Sequence, residues 1–217
     1  MSQLLGNFEA YIRTLPSPNV RVVVGQSALT DETPMRADVA ANQGSRDLVE
    51  DGGITAVDVG GPSTGRFTCF LDGMQRPKGP VYINCSVPIM YGYVAAAVRT
   101  RGADRRMRTL EGFHEVDEAL YYPKKLAEEH SLVISGVPCV DTEDEKTPLI
   151  EHPLALVQAA YDRISNRRNR VESRLAEKWV RENSGGDWLL VDGGLNSDFG
   201  EAGKIVGVTK SHGTQYL

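Results

Sequence analysis

Residues 153–194, PLALVQAAYDRISNRRNRVESRLAEKWVRENSGGDWLLVDGG, carry the clearest pattern in the chain. Leu154, Val157, Tyr161, Ile164, Val171, Leu175 and Trp179 recur at helical spacing, which predicts one long amphipathic helix running to about Asn183. Ser184-Gly185-Gly186 ends it, and Trp188 to Val191 follows as an apolar strand run closed by Asp192-Gly193-Gly194. One further strand is expected at Lys204 to Thr209. A long helix followed by strand runs places the chain in the α/β class.

Upstream, Arg66 to Leu71 is a β-type run ending in Asp72-Gly73, and Val81 to Cys85 is a second. They read as two antiparallel strands joined by a loop over Met74 to Pro80. Met90 to Arg101 is a further strand leading into the basic segment Arg99 to Arg108. Gly112 to His130 is helical in composition and interrupted by Pro123, which predicts two short helices or one broken one. Ser131 to Val137 is a buried-strand candidate, and Asp141 to Lys146 a solvated acidic loop. Before Arg66 the pattern is uneven: an amphipathic start (Leu4, Leu5, Phe8, Ile12), a β-branched run from Val20 to Val24, a polar loop from Thr30 to Gly53, and a turn at Gly60 to Gly65. Residues 1–65 are therefore assigned to an irregular N-terminal extension and 66–217 to the ordered domain.

The chain has 217 residues, room for one domain with an appendage at about 150 residues per domain. With 24 basic and 29 acidic residues its formal charge is −5, which argues against wholesale coating of nucleic acid or anionic lipid. Cys69, Cys85 and Cys139 form no CxxC pair and leave an odd count, so neither a disulfide framework nor a zinc knuckle is indicated. No stretch approaches the roughly 18 apolar residues of a membrane span. A soluble cytoplasmic protein with no membrane partner is expected.

Two strand runs end alike, Phe70-Leu71-Asp72-Gly73 and Leu190-Val191-Asp192-Gly193. Singly, each Asp-Gly is a turn signal. Together, on adjacent strands, they would bring two carboxylates to one place, where they repel unless protonated or bridged by a cation. Carboxylate oxygens suit Mn²⁺ or Mg²⁺. Glu172, beside the apolar stripe of the long helix, is the third candidate; the competing reading is a surface glutamate paired with Arg168 or with the neighbourhood of Lys178. Arg163, Arg167, Arg168, Arg170 and Arg174 make this helix basic, suited to steering a phosphodiester strand or to forming a solvated face.

Phe70 to Arg76, the helix around Arg170 to Ala176, and Leu190 to Leu195 followed by Ile205 to Ser211 together resemble the NurA nuclease family over roughly Arg66 to Leu217. The resemblance implies an RNase H-like mixed sheet flanked by helices, a homodimer and Mn²⁺- or Mg²⁺-dependent DNA cleavage. It also implies partnership with a HerA-type hexameric translocase in DNA end processing, repair or phage defence. By the same resemblance Asp72, Glu172 and Asp192 are metal ligands and Tyr216 matches a later active-site tyrosine. Members carry a metal-binding histidine well beyond the last strand, which implies a chain incomplete at its C-terminus. Lys210, Arg76, Arg168 and the segment Arg99 to Arg108 are expected to contact DNA phosphates, with Lys210 also neutralising charge at the scissile group or, on the competing reading, being an ordinary surface lysine.

Other readings rank lower. Asp58 rivals Asp72 but lacks its following Gly and Arg76. Lys210-Ser211 fails the glycine spacing of a P-loop, which argues against nucleotide hydrolysis. His114 with Glu111 and Glu115 has metal-like spacing on a helix but no second cluster, and Cys69 reads as core. The alternative from another class is a non-catalytic scaffold or DNA-binding subunit of a translocase complex, distinguished by whether the three acids converge.

Overall fold

The computed structural model describes residues 4, 6, 8, 10, 20–22, 67–84, 86–130, 134, 137–143, 152–183, 187–193 and 204–208. Their elements are β1 (Val20–Val22), β2 (Phe67–Ile83), β3 (Val87–Arg101), β4 (Met107–Tyr122), α1 (Lys124–Glu129), β5 (Cys139–Asp141), α2 (Pro153–Glu182), β6 (Trp188–Asp192) and β7 (Ile205–Val208). The strands form one mixed sheet in the order β5-β4-β3-β2-β6-β7, with β1 paired to the far end of β2. β2, β3 and β4 are antiparallel, while β6 runs parallel to β2, β7 to β6 and β5 to β4. The molecule is α/β, with the RNase H-like mixed sheet and flanking helices expected. Among the described residues no helix is long and apolar enough to cross a membrane.

The hairpin strands are longer than the sequence suggests. Met74 to Pro80 is not a loop: β2 continues through it, paired from Cys69↔Thr100 to Ile83↔Val87. Asp72-Gly73 therefore lies inside a strand, and the reversal comes at Asn84, whose φ of 50° suits the left-handed region that Asn tolerates. The register shifts between Lys78 and Val81, around Gly79-Pro80, where one extra residue on β2 inverts the alternation of its side chains. Upstream of this bulge Cys69 and Leu71 join the cluster beneath α2, and downstream Val81 and Ile83 join the cluster on the other face. One strand thus serves both cores.

Residues 112–122 are not helical. They complete β4, paired with β3 from Met90↔Tyr121 to Arg101↔Met107, and only Lys124–Glu129 after Pro123 is helix. A long ladder to a strand already formed outweighs the helical bias of a Glu-rich composition. Ile134 and Val137 pack against the second core, yet the strand in this region is Cys139–Asp141; the rest of 131–136 lies outside the described residues. Nor is the start of the acidic segment merely solvated: Asp141 Oδ1 accepts the Lys124 N–H at 3.2 Å and Glu143 Oε2 the Lys125 N–H at 2.7 Å, satisfying donors in the first turn of α1.

The helix α2 and the strands β6 and β7 fall where expected. Proline at its first turn fits the start of α2. Leu156, Ala160, Ile164, Val171, Leu175, Ala176 and Trp179 bury its inner face against β2, β3 and β4. Leu154, expected in that stripe, is 71% exposed, because the stripe begins at Leu156. On the opposite face the second core gathers Ile89, Tyr91, Leu120 and Tyr122 beneath helical Leu4 and Phe8. The start of the N-terminal extension and β1 therefore belong to the body of the fold.

Candidate active site

The site is built where β2, β6 and α2 meet. β6 pairs in parallel with β2 up to Leu71↔Val191, and both residues lie in the α2-side core. Asp72 and Asp192 follow immediately, so period-two alternation puts both on the face opposite α2, at neighbouring register. Asp72 is exposed and Asp192 half-buried. Just beyond Asp192, Gly193 leaves the strand at φ 108° and its N–H donates to the Val208 carbonyl at 2.9 Å. This ties the β6 terminus to β7.

Glu172 arrives from the helix side. Its carboxyl group occupies the space above Gly73, where a Cβ would lie 2.8 Å from Cδ and 2.9 Å from Cγ of Glu172. Gly73 is thus required in mid-strand for close approach rather than for a turn. Burial raises the Glu172 carboxyl above the usual glutamate range; Arg168 opposes that, and the negative charges of Asp72 and Asp192 add to it. Asp72 and Asp192 thus act on Glu172 from the opposite face of the sheet, so the three carboxyl groups do not meet on one surface, and among the described residues no group of three His, Cys, Asp or Glu side chains could hold a metal ion.

Hard carboxylate oxygens are the donor type that a divalent cation takes. The fit extends no further than donor type, because Glu172 stands on the helix side of the sheet and Asp72 and Asp192 on the other.

The rest of α2 is less free to bind DNA than its composition implies. Arg167 Nε donates to Asp117 Oδ2 at 2.6 Å, Arg174 pairs with Glu115, Arg163 donates to the Glu143 carbonyl at 3.2 Å and Lys178 to that of Gly112 at 2.6 Å. Asp117 holds the Arg167 guanidinium above its already high ordinary value. Arg168 Nε lies 3.6 Å from Glu172 Oε1, so Glu172 has both its expected surface partner and the strand glycine. In the basic turn after β3, Arg108 pairs with Asp104. Arg76 is exposed on the same face of β2 as Asp72.

His114 and Glu115 alternate along β4 and do not share a helix face. Cys69 is buried core, as expected. Lys210, Tyr216, Asp58, His212, Cys85 and the Gly60 to Gly65 turn lie outside the described residues. Sequence reading missed Gln75 and Ser165. Gln75 Nε2 donates to Ser165 Oγ at 3.2 Å between sheet and helix. Their signal was the spacing of Ser165, Arg168 and Glu172, three polar residues three and four apart that interrupt the apolar stripe between Ile164 and Leu175. Neither the protein-family models nor the curated proteins searched match this chain.

Proposed function

We propose that this chain is a metal-dependent deoxyribonuclease whose site is Asp72, Glu172 and Asp192. The observation that carries this reading is Glu172, held over Gly73 and raised in proton affinity first by burial and further by the negative charges of Asp72 and Asp192. Bound Mn²⁺ or Mg²⁺ supplies activation of water and stabilisation of charge at phosphorus in an in-line displacement. Asp72 and Asp192, at the end of a parallel strand pair, orient ligand oxygens on the open face of the sheet. Glu172 lies on the helix side, its carboxyl group over Gly73. Arg76, two residues along the same face from Asp72, is suited to the DNA backbone. A side-chain nucleophile is not needed.

DNA as the substrate, a HerA-type translocase as partner, a homodimer, and a role in end processing, repair or phage defence rest on the resemblance of the site segments to NurA nucleases. Roles for Lys210 and Tyr216 rest on it too. The test is digestion of single- and double-stranded DNA with Mn²⁺, Mg²⁺ or EDTA by wild-type protein and Asp192→Asn. Metal-dependent cleavage reduced about a thousandfold in the variant is expected, the order of loss on removing one electrostatic element of a hydrolytic site. Cleavage indifferent to the substitution, or none with metal and a translocase supplied, leaves the scaffold reading.

A further inference from the structure

One end of the open sheet face carries an aromatic and basic patch that the site above leaves unused. The register between β2 and β6 steps from Phe67↔Trp188 to Cys69↔Leu189, so one extra residue, Thr68, stands on β2. Such a bulge inverts the alternation of side chains. With Cys69 and Leu189 in the core beneath α2, it brings Phe67, Phe70 and Trp188 to the face that also bears Asp72 and Asp192. The rings agree: Phe67 and Trp188 lie 6.0 Å apart between centroids, and Phe67 is 44% exposed. β3 adds Arg99, opposite Phe70, and Arg101, whose guanidinium lies over the Phe70 ring at 5.7 Å. Both arginines are exposed, and their hydrogen bonds go to backbone carbonyls, Arg99 to Met107 at 3.4 Å and Arg101 to Phe67 at 3.5 Å. Among the described residues no acid pairs with either, whereas Arg167 and Arg174 on α2 are bonded to acids of β4.

We propose that this patch is a platform for single-stranded DNA, its bases stacked on Phe67, Trp188 and the Arg101–Phe70 pair and its phosphates held by Arg99 and Arg101. The choice of DNA rests on the nuclease reading above; the choice of an unpaired strand rests on the patch itself. Guanidinium groups without acid partners, set among accessible rings, fit a ligand that carries negative charge and flat apolar faces together, and an unpaired nucleic-acid strand offers both. A duplex keeps those faces inside its own stack and leaves only its backbone for the arginines. A guanidinium laid on a ring also serves as a stacking plane, which an ammonium group would not. Phe70 stands two residues before Asp72 on the same face of β2, about 7 Å away at about 3.4 Å per residue. A strand crossing the platform therefore runs directly onto Asp72 and Asp192.

The test is fluorescence anisotropy of labelled oligodeoxythymidine, its duplex with oligodeoxyadenosine, and oligouridine, each titrated with the full chain in EDTA at several salt concentrations. Wild type is compared with Phe67→Ala, Arg101→Gln and, away from the patch, Arg174→Gln; circular dichroism checks that each variant is folded. The single strand is expected to bind more tightly than the duplex. Phe67→Ala is expected to weaken single-strand binding about tenfold, the loss of one base stacked on an aromatic ring, and to leave duplex binding unchanged. Arg101→Gln is expected to lower the slope of log affinity against log salt by about 0.7, one phosphate contact of a single strand, while Arg174→Gln changes neither quantity. Affinity indifferent to both patch variants, or a single strand bound no more tightly than the duplex, overturns the platform. Oligouridine bound more tightly than oligodeoxythymidine overturns the choice of DNA. Binding as expected by a chain that cleaves no DNA with Mn²⁺ or Mg²⁺ overturns the nuclease reading while the platform stands; cleavage lost in Asp192→Asn, with binding indifferent to both patch variants, does the reverse.

Discussion

Gly73 shows at a single residue how fold and chemistry meet. A methyl group there would collide with the Glu172 carboxyl, the mobile end of a side chain, so the strand can survive while the glutamate is displaced. Gly73→Ala is therefore expected to change stability by no more than about 1 kcal/mol, since alanine is the better strand residue. Cleavage is expected to fall about a hundredfold, the scale of a misplacement near 1 Å. Parallel urea melts and DNA digestion check both halves. Glu172 itself carries a pH signature. Its folded-state pKa lies above the ordinary 4.5, so its contribution to stability is full below 4.5 and is lost as pH rises through the raised value. Glu172→Gln, which cannot ionise, is expected to melt higher than wild type at pH 7 to 8 and to converge with it below about pH 4.5. Melting curves in EDTA across pH 4 to 8 measure this; a variant less stable at neutral pH contradicts it.

At the scale of the element, α2 explains why the sheet is held as it is. Ile164 is fully buried at the crossing with β3, against Gly92, where a Cβ would fall 2.7 Å from Ile164 Cγ1 and 2.6 Å from Tyr121 Cε2. Helix and strand approach so closely only because Gly92 has no side chain. Ile164→Ala is expected to destabilise the fold by about 2–5 kcal/mol, a transfer loss plus a cavity that so close a crossing cannot collapse to fill. Denaturant unfolding followed by the Trp179 fluorescence change reads it. The outer contacts of α2 contribute far less: Arg167–Asp117 is partly exposed, and such pairs are worth below about 1 kcal/mol.

Across the whole molecule, stability is concentrated in the hairpin strands β2 and β3, whose Leu71, Ile89, Met90, Val94 and Val98 are almost wholly buried. β3 has neighbours on both sides, β2 and β4, and both cores draw on it. Amide hydrogen exchange is therefore expected to be slowest in Val94 to Val98 and faster by orders of magnitude in β5 and β7, which close the sheet at its two ends. Exchange measured by mass spectrometry tests the ranking; β7 protected as strongly as β3 contradicts it. The candidate acids sit at the C-terminal end of β6 and beside it on β2, at the margin of this stable block.

How much was legible follows from the range of each interaction. Local periodicity was enough for α2, β6 and β7, since a helix stripe and a short apolar strand are written in consecutive residues. The acidic triplet was legible as residue types, because two strand-borne aspartates and a glutamate beside an apolar stripe stand out without a structure. Tertiary structure decided what depends on partners distant in the chain. β2 ran on through Asp72-Gly73 and β4 replaced an expected helix because the ladder to β3 satisfies their backbone groups, a benefit invisible to local propensity. The pairing of Arg167 and Arg174 with acids of β4 and the glutamate over Gly73 likewise exist only once α2 lies across the sheet. The sequence alone determined which ionisable residue types are present and in what order; packing determined which of them act on one another, because electrostatic coupling depends on distance in space and not along the chain.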